Sequence, residues 1–214
     1  MLPSSVRSQL VAALLAVFAG PVAAVAQGAS ASAVVVSAWH PLIGDRLTGA
    51  AVSFSVPQRD KRRTLQYGAE RVHGEADRIG VACAGFIRPG TCPSDHLRDA
   101  VRVSSASVGP SFRLLRRRHT LLALTADLTL ASIRADTRGL TTGGRLVATK
   151  MLWGGRIGAN AAWTPSGRVP VALEIEGGIG RLLPIVHEQV SDGYTPFERG
   201  FDVQRLRVGV AWRP

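Results

Sequence analysis

The sequence predicts an all-β fold, an eight-stranded antiparallel up-and-down transmembrane β-barrel preceded by a cleaved signal peptide. Three observations predict it. An apolar stretch near the N-terminus is too short to stay as an anchor, period-2 alternation recurs in every long segment after residue 30, and the connections between those segments alternate between short and long.

The leader comes first. Arg7 precedes the apolar run Leu10 to Ala19, and Pro21 leads into the small residues Ala24, Val25 and Ala26, so cleavage after Ala26 is expected. Residues 1–26 read as the signal peptide, 27–30 as a short N-terminal segment and 31–214 as one barrel domain. No stretch reaches the roughly 20 apolar residues that a spanning helix needs. No cysteine stands near the cleavage position, which argues against an acylated lipoprotein.

Eight segments follow, at roughly 32–40, 46–57, 62–73, 98–114, 119–135, 145–164, 168–187 and 201–213. In the second, Val52, Phe54 and Val56 oppose Ala51, Ser53 and Ser55. In the fifth, Leu122, Leu124, Ala126, Leu128 and Leu130 oppose Ala123, Thr125, Asp127, Thr129 and Ala131. The sixth sets Met151, Trp153, Ile157, Ala159 and Trp163 against Lys150, Gly154, Arg156, Gly158 and Asn160. In the seventh, Leu173, Ile175 and Ile179 face away from Glu174, Glu176 and Gly178. The eighth has Leu206, Val208, Val210 and Trp212 on one face and Arg205, Arg207, Gly209 and Ala211 on the other. Short turns near 57–62, 115–119 and 164–168 alternate with longer loops at 74–97, 136–144 and 188–200; the first connection, around Pro41 to Asp45, is short where a long one is expected. An even strand number puts both termini at the short-turn end, as in bacterial outer-membrane barrels.

Face content assigns the inside. A lumen of eight strands is just wide enough to be filled by side chains, so the inward face should combine small residues with paired charges. That face holds Glu70, Asp127, Lys150, Arg156, Glu174, Glu176, Arg205 and Arg207, with Glu174 and Arg207 expected at similar heights on neighbouring strands. Trp153 and Trp163 share the other face ten residues apart, about 25 Å along the membrane normal at a tilt near 40°. They should mark the two interfaces, with Phe54, Phe112 and Trp212 near the short-turn ends as companions of Trp163.

Cys83 and Cys92 stand among Gly85, Pro89, Gly90 and Pro93 and read as one loop disulfide in an oxidising compartment. Two cysteines without paired histidines make a poor zinc set, so no metal or other cofactor is expected. Formal charge is +11, about +10 without the leader. Such an excess suits anionic partners, and export selects lipid head groups over nucleic acid. The charge concentrates at two short turns, Arg59, Lys61, Arg62 and Arg63 at one and Arg113, Arg116, Arg117 and Arg118 at the other. There each basic residue either contributes about 1 kcal/mol against an anionic surface or stays solvated and only confers solubility.

In these features the chain over 31–214 resembles the small eight-stranded outer-membrane β-barrel family, similar in layout to the transmembrane domain of outer membrane protein A. Arg207, Gly209 and Trp212 fit that family's C-terminal assembly signal, and Pro214 stands where the family usually ends in an aromatic residue. The resemblance implies a non-enzymatic, monomeric protein of the cell outer membrane, inserted by the barrel-assembly machinery and surrounded by anionic phospholipid or lipopolysaccharide.

Two other classes compete. A soluble exported carrier would alternate too, with its apolar face turned inward around an apolar ligand. A membrane-embedded lipid hydrolase would need a nucleophile and base; the histidines are His40, His73, His96, His119 and His187, none in a Gly-x-Ser-x-Gly motif.

Overall fold

The computed structural model describes residues 28–38, 46–60, 62–81, 94–141, 143–165, 170–185 and 200–212. The expected leader, Cys83, Cys92, Lys61, His40, His187 and Pro214 lie outside them. Eight strands form: β1 (Gly28–Ala38), β2 (Leu47–Pro57), β3 (Arg63–Val81), β4 (Ser94–Arg116), β5 (Thr120–Gly139), β6 (Arg145–Trp163), β7 (Val171–Pro184) and β8 (Phe201–Trp212). Each pairs antiparallel with its sequence neighbours, and β8 pairs with β1, so the sheet is a closed barrel.

The register fixes the barrel's dimensions. Trp153 pairs with Leu130, and the row continues through Ala106, Ala69, Val52, Ala31, Val210 and Leu173 to return to β6 at Trp163. A stagger of ten residues over eight strands corresponds to a tilt of about 40°. Every residue in that row is apolar and points outward.

The walls are unequal. β3 to β6 have 19, 23, 20 and 19 residues, against 11, 11, 14 and 12 in β1, β2, β7 and β8. The expected loop 74–97 is therefore strand over 74–81 and 94–97, with β3 running to Val81 and β4 starting at Ser94. The expected loop 136–144 shrinks to a tight turn closed by Gly139 N–H donating to the Gly144 carbonyl at 2.8 Å, with Gly143 at a φ of 68°. Arginine, aspartate and histidine in these extensions imitate loop composition, but cross-strand pairing accommodates them. At the N-terminus, residues 28–30 of the expected leading segment belong to β1.

Alternation changes phase along the strands. On β5 the apolar residues up to Leu130 point outward, whereas Ile133 and Ala135 point inward and Arg134, Asp136 and Arg138 take the outer face. β3 makes the same exchange between Ala69 and Val72, β7 between Ile179 and Leu182, and β8 between Val203 and Leu206. With a drift of about 1.25 residues per strand around the barrel, these exchanges fall near one level, that of Trp153. Below it the outside is greasy, as lipid requires; above it the inside is, as water requires.

Closure depends on Gly209. A Cβ there would lie 2.2 Å from the Ala31 carbonyl oxygen and 2.6 Å from the Ser32 Cα, so only glycine lets β8 approach β1 this closely. Gly177, on the outer face of β7, has open space around a Cβ. Gly209→Val is therefore expected to abolish the compact, heat-modifiable band of the folded barrel on a denaturing gel, and Gly177→Val to preserve it.

Candidate functional site: a sealed barrel interior

The inward residues are layered. Nearest the short turns lie small and hydroxyl residues: Ser30 Oγ and Ser53 Oγ are 2.6 Å apart, with Gly68, Ser107 and Thr125 across the lumen. Above them six charges form one chain. Glu176 takes Arg205 on one oxygen and Arg207 Nη1 at 3.4 Å on the other. Arg205 Nη1 reaches Glu70 at 3.1 Å, Glu70 lies 3.8 Å from Arg156, and Arg156 Nε donates to Asp127 at 2.9 Å. Arg207 Nε also donates to Ser32 Oγ at 3.0 Å, and Thr129 Oγ1 donates to Asp127 at 2.9 Å.

Three guanidinium groups and three carboxylates balance in formal charge. Their side chains are 15% exposed or less, so each ion depends on its partners to offset lost hydration. A cavity lined by Asp127, Glu176, Arg205 and Arg207 measures about 10 Å³, space for one water molecule.

The chain of charges differs from the sequence expectation at two positions. Arg207 lies opposite Glu176, while Glu174 faces the lumen opposite Gly209. Counting from the strand ends misplaces this pair because β7 begins at Val171 rather than 168, a shift large enough to exchange one inward carboxylate for the next. Lys150 is buried but separate, six residues farther along β6 than Arg156, about 20 Å of strand. Its Nζ has no hydrogen-bond partner among the described residues.

Above the charges sits an apolar plug, which the expected interior of small residues and ions does not include. Val34, Val36, Leu47, Val72, Val101, Ile133, Leu152, Leu182, Phe201 and Val203 pack together inside the barrel, with Ile133 and Leu152 fully buried. Its sequence signal is the phase exchange of the alternation. Farther out, in the tall wall, Asp99 is fully buried, accepting from Arg78 Nε and from Thr137 Oγ1, each at 2.5 Å. On the outer face of that wall Arg145 donates to Asp136, and this hydrogen bond, with the charges of Arg145 and Arg138, holds the Asp136 carboxyl below its ordinary value. The contribution of that contact is present at neutral pH and is lost only as pH falls through the lowered value.

Outside, Trp153, Trp163 and Trp212 are each about half exposed and, with Phe112, border the apolar band; Phe54 lies three residues inside the end of β2. The basic turns meet at one sector of the short-turn end, since Arg113 N–H donates to the Arg62 carbonyl at 2.9 Å. Arg59, Arg62, Arg63, Arg116, Arg117 and Arg118 are all exposed there. Arg63 stacks 5.4 Å from the Phe112 ring centre and lies 3.4 Å from Asp60. Among the histidines, His73 and His96 point outward, and His119 Nδ1 donates to the Thr164 carbonyl at 3.0 Å. No cluster of residues suited to a metal occurs among the described residues.

Removing Arg205 takes the nearer of two partners from each of two buried carboxylates, Glu70 and Glu176. Arg205→Met is expected to cost about 3 to 5 kcal/mol in urea titrations of the refolded barrel in vesicles, with part of the loss recovered by adding Glu176→Gln. Lys150→Met removes a buried ammonium and is expected to gain about 1 to 3 kcal/mol in the same titration.

No family model matches this chain, and no curated protein does. Solved structures do match. A major outer membrane protein from Thermus thermophilus aligns with a TM-score of 0.51 and 11% identity, over 87% of this chain and 99% of that one. Ail, the attachment invasion locus protein of Yersinia pestis, aligns with a TM-score of 0.50 and 11% identity, over 87% and 98%. The chain thus has the fold of the small eight-stranded outer-membrane β-barrels.

Proposed function

We propose that this chain is an integral protein of the bacterial outer membrane, a non-enzymatic, sealed barrel that reinforces the envelope and presents its long-loop end for external contacts. The observation that carries this reading is the interior, where a charge-balanced network and an apolar plug stand in series beneath a complete outward band of apolar residues. A pore needs a continuous wet path, and a soluble carrier needs an apolar pocket; the cavity lined by Asp127, Glu176, Arg205 and Arg207 holds about one water.

In this reading residues 1–26 are the export signal, 31–214 carry the barrel function, and a Cys83–Cys92 disulfide staples the connection between β3 and β4. The barrel-assembly machinery reads β8 through Arg207, Gly209 and Trp212. The basic turns Arg59 to Arg63 and Arg116 to Arg118 rest on anionic phospholipid of the inner leaflet. The protein acts as a monomer, without cofactor.

Three measurements test it. Release from outer membranes should require detergent, and release by osmotic shock would sink the reading. In planar bilayers the protein should give no steady current, and Ile133→Gly with Leu152→Gly, which thins the plug but leaves the charge network beneath it, should stay closed as well. A persistent open current from the unaltered barrel would overturn the sealed interior while leaving the membrane seat intact.

A further inference from the structure

Arginine just above the apolar band outnumbers the carboxylates that answer it. Arg102 and Arg134 are direct register partners across β4 and β5, and His73 is the partner of Arg102 on β3. Arg71 shares their outward face, and all four are exposed. Side chains directly opposed on a sheet have Cβ atoms about 5 Å apart, so two guanidinium groups placed there repel. The next such pair farther out, Arg98 with Arg138, is neutralised: Arg98 donates to Asp77 at 3.0 Å, and Arg138 lies 3.5 Å from Asp136. Glu75 is diagonal to Arg102 in the row between. Yet no carboxylate among the described residues lies within ion-pair distance of Arg71, Arg102 or Arg134.

The position of this ledge says what answers it. The level of Trp153 crosses β5 near Ser132, β4 near Val103 and β3 near Val72, so the four basic residues lie within about 7 Å of the outer interface. One row below, Ser104 and Ser132 share the outward face with Arg71; beneath them the face is apolar, and Gly155, lacking a side chain, leaves a groove bordered by Val108, Ala126, Leu128 and Ile157. Cations at head-group height over an acyl-sized groove fit an amphiphile rather than a soluble ion.

We propose that Arg102 and Arg134 straddle a phosphate group of an outer-leaflet glycolipid, with Arg71 and His73 beside it and an acyl chain in the groove below. A phosphate monoester carries enough charge to offset both guanidinium groups, and arginine's planar donors suit its oxygens. The inference rests on the outer-membrane seat proposed above and gives its lipid contact a place.

The test uses the refolded protein in neutral phospholipid vesicles, with the temperature at which the compact gel band disappears as readout. Added bis-phosphorylated lipid A should raise that temperature, and dephosphorylated lipid A should not. Arg102→Gln with Arg134→Gln should lose the rise. The same variant should melt higher than the unaltered protein in vesicles without glycolipid, because the uncompensated repulsion is gone; Arg134→Gln alone should show both effects in part. Arg116→Gln, Arg117→Gln and Arg118→Gln together should leave the response to lipid A intact. An unchanged response in the double variant, an equal response to the dephosphorylated lipid, or an equal one to inorganic pyrophosphate would overturn the proposal. Absence of a compact band for the unaltered protein in every vesicle would instead remove the membrane seat itself.

Discussion

In hydrocarbon an unpaired backbone donor or acceptor costs several kcal/mol, so a sheet crosses a bilayer only when it has no edge. Here the last strand supplies the missing edge of the first: β8 lies along β1 from Trp212 opposite Ala29 to Val203 opposite Ala38. The fit is close enough that Gly209 passes over the Ala31 carbonyl with no room for a methyl group. Arg207 ties the seam from within through Ser32 and Ser53. Strand tilt, lumen width and the outward row that joins Trp153 to Trp163 all follow from this closure.

Closure in turn creates a narrow interior that must be filled, and the sequence fills it in two ways. At membrane depth the filling is ionic, because the outer face there has taken the large apolar residues and the inner face is left with glycine, serine and a few long charged side chains. An interior ion pair rarely stabilises more than a well-packed apolar cluster would, but it punishes any other register, since a slipped strand would present its charges to lipid. At and beyond the outer interface the filling is apolar, the same solution a soluble barrel uses. The chain therefore changes from a membrane protein to a water-soluble one along the length of single strands.

That change of environment also explains the tall wall. β3 to β6 continue past the level where lipid ends, burying Asp99 with Arg78 and Thr137 inside and spreading arginines and aspartates outside. Among the described residues, the wall carries most of the exposed charge of the long-loop half. At the other end the basic turns are drawn together by the pairing of β3 with β4, although they are about fifty residues apart in sequence.

The sequence by itself determined the strand number, the antiparallel order, the outward placement of the tryptophans and the inward placement of the charged residues, because each depends only on a period of two and on turn chemistry. It also contained the level of the outer interface, as the exchange of alternation phase between Leu130 and Ile133 and its counterparts on other strands. Only the tertiary structure decided which charges meet: Arg207 with Glu176 rather than Glu174, and Lys150 apart from the rest. It alone separated true loops from strand extensions at 74–97 and 136–144, since a strand rich in arginine and aspartate looks like a loop until a partner strand satisfies it. The reason is the same in each case. Alternation is a local property of one strand, whereas register and stagger are fixed only when eight strands close together, and an error of one or two residues in any strand changes every neighbour across the lumen.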